Sequence, residues 1–568
     1  MAEQIVSPGV FQRENDQSFI TQQPIEVGAA IIGPTVKGPV EIPTIVTSYS
    51  DYKNKFGAAF TSGSDTYSYF TSIAAYNYFN NGGTSLLVAR VVSGSYTSAT
   101  SSISSSAGAP NVNAFELETI SEGEIMNSFS TEVSGALPSG SEDNLRWEIS
   151  QADTGSGTFT LLVRQGNDTS NSKTILETWA GLSLDPKSSN YIARVIGDRK
   201  QTLTSSGGTY YVQDSGSFPN ASRYVRIKAV NNPTPDYFDN NGVAKSNYTA
   251  SIPIVSSGSF GGATGGVKAG AKFYNSIDAN DSQGLIGDNY DNVINLLSNK
   301  DDYKYNIISA PGLYRADYSS QISTLISNTQ NRGDAIFVAD LVKYNSTVTS
   351  VKSQAQSVDN SFVASYWPWV QVSDPELGKQ VWVPASTMIP GVYAFNDNTA
   401  AEWFAPAGFN RGGLSTVLRA ERKLSSTDRD SLYQGKVNPI ATFPGQGIVI
   451  FGQKTLQTKS SALDRVNVRR LLIALKDFIG QVANNLVFEQ NTIATRNSFL
   501  SQVNPFLEAV QARQGLYSFR VVMDETNNTP DVIDRNQLVG QIFIQPTRTA
   551  EYIILDFNIL PTGAEFPQ

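Results

Sequence analysis

The side chains most used for chemistry near neutral pH are missing from this chain, which contains neither histidine nor cysteine. That excludes Ser-His-Asp and Cys-His nucleophile systems. It also excludes disulfides, thiolate clusters and zinc sites built from Cys and His. Catalysis would have to come from carboxylates, lysine, tyrosine or an oxygen-ligated metal. Carboxylate pairs stand at Asp301-Asp302 and at Asp428 with Asp430. Two carboxyls about 5–10 Å apart across a cleft could hydrolyse a glycoside, but any long chain offers such pairs. The run Asp236-Tyr237-Phe238-Asp239-Asn240-Asn241 has oxygen donors for calcium and equally the composition of an Asx-turn loop. Gly261-Gly262-Ala263-Thr264-Gly265-Gly266-Val267-Lys268 fails the phosphate-loop pattern, because Val267 stands where the lysine belongs and no Ser or Thr follows Lys268. It reads as a hinge. The sequon Asn247-Tyr248-Thr249 carries meaning only on a secretory route. No cofactor or metal site is expected.

One cationic constellation has a regular spacing. Arg465, Arg469 and Lys476 fall within about 40° of one another on a helical wheel of 100° per residue. They form a stripe that is either a solvated face or a docking surface for an acidic protein.

The elements that must position these residues follow from composition and pattern. At about 150 residues per domain, 568 residues predict three to four domains. Charged residues make up only 16%, and the net charge is −9, which argues against a nucleic-acid partner. The first residues, MAEQIVSPGV, lack the basic and apolar regions of a secretion signal. No apolar run approaches the ~18 residues of a membrane span. The expectation is a soluble chain folded in the cytosol, without direct membrane insertion.

Residues 1–25 read as an extended arm, since Pro8 and Gly9 bar a helix. Residues 26–92 alternate apolar runs with Gly and Pro, with a helix expected over 66–79 and a strand over 85–92. A Ser-rich linker is expected over 93–110, then short strands to about 253, with a second flexible junction over 256–270. We group 26–92 with 111–270 as a β-rich middle or outer region. Residues 271–395 alternate helix and strand as a parallel α/β unit. Residues 396–550 form a C-terminal inner domain with the best helix of the chain, opened by Ser461-Ala462-Leu463-Asp464. A strand arm over 551–568 closes the chain, with Ile553, Leu555, Phe557 and Ile559 on one face and Tyr552, Ile554, Asp556 and Asn558 on the other. The fold class is mixed α/β and multidomain, with terminal strand arms. An unpaired terminal strand is an edge that must be covered, within its own domain or by another subunit.

Ordered motifs along the chain resemble a known family. They begin with Ser7-Pro8-Gly9-Val10 and Glu14, then Gly33-Pro34-Thr35-Val36-Lys37-Gly38-Pro39, and Tyr78-Phe79-Asn80-Asn81-Gly82-Gly83 leading to Val88-Ala89-Arg90-Val91. Leu182-Ser183-Leu184-Asp185-Pro186 follows, then Trp403-Phe404-Ala405-Pro406-Ala407-Gly408, Asp464-Arg465-Val466-Asn467-Val468-Arg469-Arg470-Leu471 and Asp524-Glu525-Thr526-Asn527-Asn528-Thr529-Pro530. Each is weak alone and specific in this order. On them the chain resembles the contractile tail sheath proteins of myophages, of the large-phage type.

The resemblance implies a non-enzymatic structural protein of the virion, assembled in the host cytoplasm. It implies homo-oligomeric hexameric rings stacked around a tail tube, with baseplate and tail terminator proteins as further partners. It implies that the arms complete sheets in neighbouring subunits, here through Ser7, Pro8, Gly9, Val10 and Phe11 at one end and Ile553, Ile554, Leu555, Phe557 and Ile559 at the other. The C-terminal domain would face the tube, with Arg465, Arg469 and Lys476 toward it. Where some relatives carry a large extra domain this chain has the polar stretch 93–110, so a protruding outer domain is expected to be small or absent. Two other readings are a carboxylate-based glycan hydrolase or carbohydrate-binding protein, and a bacterial contractile injection-system sheath.

Overall fold

The structure, a computed structural model, describes residues 27–62, 65–105, 113–127, 132–265 and 277–555. Its centre is an eight-stranded sheet in the order Thr44–Val46, Leu86–Arg90, Val27–Gly33, Tyr305–Tyr314, Ile336–Asp340, Val363–Trp367, Asn438–Phe443, Gly447–Ile450. The six inner strands run parallel and the two outermost pair antiparallel. The parallel strands are buried on both faces, as sheets covered by helices must be. Alternation along the strand beginning at Val27 sends Ala29 and Ile31 to one face and Ala30 and Ile32 to the other. The first face packs on helices Phe70–Asn80, Ile389–Thr399 and the start of Val466–Asn484. The second packs on Asp291–Leu296, Ser319–Arg332 and Val348–Gln356. The mixed α/β class is therefore the observed one.

Two boundary expectations fail. Within the 26–92 stretch, Val27–Gly33, Thr44–Val46 and Leu86–Arg90 belong to the central sheet rather than to the β-rich region, with Ala29 opposite Ile307 and Leu86. Parallel pairing joins segments remote in sequence, and the apolar period of a strand does not name its partner. The α/β unit is thus not confined to 271–395, since strands from 27–90 and 438–450 complete it. Nor is 93–110 simply a linker. Ser98–Ser104 is a strand whose Ala99 and Ile103 are fully buried while serines occupy the other face, and small polar residues on a half-exposed strand mimic linker composition. Residues 106–112 lie outside the described set.

Between Arg90 and Tyr305 the chain inserts a β-rich module built mainly of a three-stranded sheet (Val225–Val230, Asn113–Glu122, Ser98–Ser104), a four-stranded sheet (Ile175–Ser183, Thr158–Gln165, Leu145–Asp153, Ser256–Ser259) and a hairpin (Lys200–Ser206, Thr209–Ser215). It has its own core of Phe115, Leu117, Trp147, Ile149, Phe159, Leu161 and Ile227. The glycine run is not a free hinge over its described part: Gly261 pairs with Thr100 through both backbone groups, and Gly265 O accepts from Glu124 N at 2.9 Å. The module is fastened to the central domain by Arg90, 1% exposed, which donates to Gly38 O (2.5 Å) and Glu122 O (2.8 Å).

The C-terminal region is a helical hairpin, Val466–Asn484 and Ile493–Ala512, covered by the antiparallel pair Leu516–Val522 and Gln541–Pro546. The first helix serves two cores. Val466 and Ile473 enter the central one, whereas Leu471, Leu475 and Val482 join Phe499, Val503, Leu507 and Val510 of the second helix. Phe478 stacks on Phe506 with centroids 3.9 Å apart. Near residue 66 the expected helix begins late: Asp65–Ser68 pairs as a strand with Ala59–Ser62, and the helix starts at Phe70.

Candidate assembly surface

The two-stranded C-terminal sheet is half finished. Phe519, Val521, Ile542 and Ile544 pack toward the helical hairpin, while Tyr517 and Phe543 on the other side are 66% and 56% exposed. Leu516–Val522 and Gln541–Pro546 pair only with each other among the described residues, so each has one outer edge without a strand partner there. Such edges template the addition of further strands.

Beyond Pro546 the chain leaves this sheet. Thr547 is tied back through its N–H to Gly515 O (3.2 Å) and its hydroxyl to Gln514 O (2.6 Å). Glu551 then enters a cluster on the central domain. Arg465 donates to it from Nε (2.6 Å) and Nη2 (2.9 Å), and the Tyr433 hydroxyl donates at 2.7 Å. Gln453 Nε2 reaches both Thr549 Oγ1 (2.6 Å) and Glu551 Oε1 (3.4 Å). Burial works against the Glu551 charge, but the bonds from Arg465 and Tyr433 and the Arg465 charge outweigh it and hold the carboxyl below its ordinary range. Lys454 sits over the Tyr433 ring at 3.7 Å and donates to Tyr433 O at 2.9 Å. Burial, aided by Lys436 and Arg465, pushes its ammonium down to about 8.

Past the clamp, Tyr552, Ile553, Ile554 and Leu555 are 78%, 78%, 84% and 72% exposed. Among the described residues they pair with no strand of their own chain. The expected terminal strand is not formed over its described part, and no described element covers either face of 552–555. Phe557 and Ile559 lie outside the described residues, as do Ser7, Pro8, Gly9, Val10 and Phe11.

The basic stripe does not survive as a surface. Arg465 precedes the helix and is engaged by Glu551 and by Asp464 at 2.9 Å. Arg469 is 5% exposed, lies over the Phe362 ring at 3.9 Å and donates to Ser361 Oγ; burial pushes its guanidinium down to about 10. Of the three, Lys476 alone is exposed. The wheel assumes helix through Arg465, which is instead an extended residue ahead of the first turn, and the first turns of this helix are packed against the central domain.

The remaining candidates resolve into local structure. Asp428 caps its own helix by accepting from Ser425 N (3.1 Å) and Oγ (2.8 Å). Asp302 accepts from Asn299 Nδ2 at 2.7 Å in a surface turn. Asp239 accepts from the N–H groups of Asn241 and Val243, both at 2.8 Å, an Asx-type loop. Among the described residues no group of three or more acidic side chains is placed to hold a metal ion. No described helix is long and apolar enough to cross a membrane. The sequence reading missed the helix Ile493–Ala512, although Phe499, Val503, Leu507 and Val510 repeat at helical spacing. Pro505 inside it masks the pattern. Gln453 and Tyr433 carry no sequence signal for their part in the clamp.

Comparison with known proteins places this architecture. A family model for the phage tail sheath protein central domain matches residues 276–456, and one for the phage tail sheath C-terminal domain matches 458–560. Together they take in half of the chain. The tail sheath protein of Vibrio phage KVP40 is 36% identical over 266 residues, 46% of this chain and 40% of the relative. That of Enterobacteria phage T4 is 42% identical over 187 residues, 33% of this chain and 28% of the relative. The matches thus span at most 40% of the length of these curated relatives. Two solved structures share the fold. The helical sheath of the anti-feeding prophage in its contracted state has a TM-score of 0.50 at 15% identity, covering 98% of this chain and 99% of that one. A sheath tail protein from Listeria innocua has a TM-score of 0.52 at 10% identity, covering 92% and 95%.

A three-layer α/β core, a β-rich insertion and a C-terminal sheet with open edges define a structural, sheath-type subunit. The chain belongs to the phage tail sheath proteins.

Proposed function

We propose that the chain is the building block of a contractile phage tail sheath, stacked as hexameric rings around a tail tube and joined to neighbouring subunits by strand exchange. The observation that carries this reading is the open two-stranded sheet Leu516–Val522 and Gln541–Pro546 together with an exposed apolar segment, 552–555, that has no strand partner among the described residues. One subunit supplies the edge and another the strand. Main-chain hydrogen bonds give such a joint strength with little demand on side chains, so it can persist while rigid subunits rotate and slide. The work of contraction is then the free-energy difference between two lattice packings, and no bound nucleotide is called for. The subunit acts in the virion as a non-enzymatic part, assembled in the host cytoplasm, with tube, baseplate and terminator proteins as partners. The N-terminal arm, including Ser7 to Phe11, is proposed as the second exchanged strand, and Lys476 as a contact to an acidic tube surface. Neither a glycan hydrolase nor an injection-system sheath is favoured: Asp428 caps a helix, Asp302 and Asp239 close turns, and the curated relatives are phage proteins.

The test is negative-stain electron microscopy of the purified protein and of a chain lacking 551–568. The full chain is expected to form long striated tubes. The truncated chain is expected to remain a folded, soluble subunit. Ordinary tubes from the truncated chain would refute strand exchange.

A further inference from the structure

The C-terminal arm does not start where the exchanged sheet ends. Between Pro546 of that sheet and Glu551 on the central domain lie only four residues, and five residue steps span at most about 18 Å. The chain crosses from one body to the other and is gripped on arrival. Three separate stretches supply the grip: Tyr433 from helix Ser426–Gln434, Gln453 from the segment after strand Gly447–Ile450, and Arg465 from the turn before helix Val466–Asn484. The Glu551 and Arg465 side chains are 17% and 25% exposed, and the pairing is bidentate. That is the geometry in which an ion pair fixes direction as well as position.

Each member is itself held. Arg465 is braced by Asp464 at 2.9 Å. The Gln453 carbonyl accepts from Val466 N at 2.8 Å, locking it to the same turn. Tyr433 is braced by Lys454 beneath its ring. Immediately beyond Glu551 the next four side chains are more than 70% exposed.

We propose that Glu551, held by Arg465, Tyr433 and Gln453, is the fixed root of the C-terminal arm, setting the point and direction from which it reaches a neighbouring subunit. The inference rests on the strand-exchange reading and deepens it. Arg465 is then a positioning residue for the lattice joint. Residues 552–568 can span at most about 60 Å from this root when extended, and the clamp keeps residues 547–551 from having to be ordered anew when the arm docks.

The experiment compares the full chain with Glu551→Gln, with Tyr433→Phe (which keeps the ring over which Lys454 sits and deletes one donor), and with a chain ending at Glu551. Two readouts are taken: amide hydrogen exchange of 547–555 in the unassembled subunit, and the critical concentration for tubes by sedimentation. Glu551→Gln is expected to speed exchange about tenfold or more and to raise the critical concentration by a similar factor, with Tyr433→Phe moving both in the same direction by less. Melting of the central domain should be unchanged. Unchanged exchange in Glu551→Gln overturns the clamp. Faster exchange with an unchanged critical concentration overturns its positioning role. Normal tubes from the chain ending at Glu551 overturn the strand-exchange reading itself, and the inference with it.

Discussion

Replacing Asp397 by asparagine strands a buried cation at the joint between the central domain and the helical hairpin. Arg470, on helix Val466–Asn484, is 3% exposed. Its Nη1 and Nη2 donate to Asp397 Oδ1 and Oδ2 at 2.8 and 2.5 Å, and its guanidinium lies over Tyr393 at 4.6 Å. Burial disfavours this charge, but Asp397 outweighs it and pushes the guanidinium above its ordinary range. Removing one partner of a buried pair costs about 3–5 kcal/mol. The Asp397 side chain is 24% exposed, so water reaches its side of the pair and lowers the cost of Asp397→Asn to about 2–4 kcal/mol. Arg470→Met removes the charge and keeps an apolar stem over Tyr393, so it should cost less, and the double variant should match it closely. The coupling between the two positions is then about 2–4 kcal/mol, the full cost of Asp397→Asn. The assay is hydrogen exchange of the amides in the first half of Val466–Asn484. Asp397→Asn is expected to raise their opening constant about 30- to 700-fold. Protection within threefold of the parent, or strictly additive effects in the cycle, would refute the assignment of this pair as the joint.

Asp340 is 6% exposed, and burial pushes its carboxyl up to about 7 against opposing bonds from Ser386. A carboxyl raised on folding contributes stability that is full below about pH 4 and lost as pH rises through 7, so Asp340→Asn should stabilise the protein more at pH 8 than at pH 5 in urea titrations; an equal difference at both would show the carboxyl is not raised. Phe488, at the tip of the helical hairpin, is 100% exposed with φ at +71°. Phe488→Gly relieves the left-handed backbone and should leave thermal stability unchanged or raise it by up to about 1 kcal/mol, where a comparable loss would show that the ring is packed.

Local pattern was enough for several of the principal elements. Strands such as Leu145–Asp153 and Thr158–Gln165, the helix Val466–Asn484, and the strand–helix alternation from 288 to 342 are legible because strand and helix periods are properties of neighbouring residues, whereas Ser461 caps a short turn over Ala462–Asp464 and the helix itself starts after Arg465. The absence of His and Cys, read directly, removed whole classes of chemistry. Ordered short motifs supplied the family resemblance that the domain matches then bore out.

Tertiary structure decided what touches what. Val27–Gly33 lies between Leu86–Arg90 and Tyr305–Tyr314, across more than 270 residues of chain, because parallel strands pair through space and their apolar faces carry no address. Ser98–Ser104 became a strand because a neighbouring sheet covers one of its faces. Arg465, Arg469 and Lys476 share a wheel position yet meet three different environments: a carboxylate, an aromatic ring and solvent. A helical wheel fixes angle about an axis, and only packing determines how far along that axis the neighbouring body extends. The clamp on Glu551 belongs to the same class, since its four side chains come from positions 433, 453, 465 and 551 and converge only when three elements of the central domain close around the departing chain.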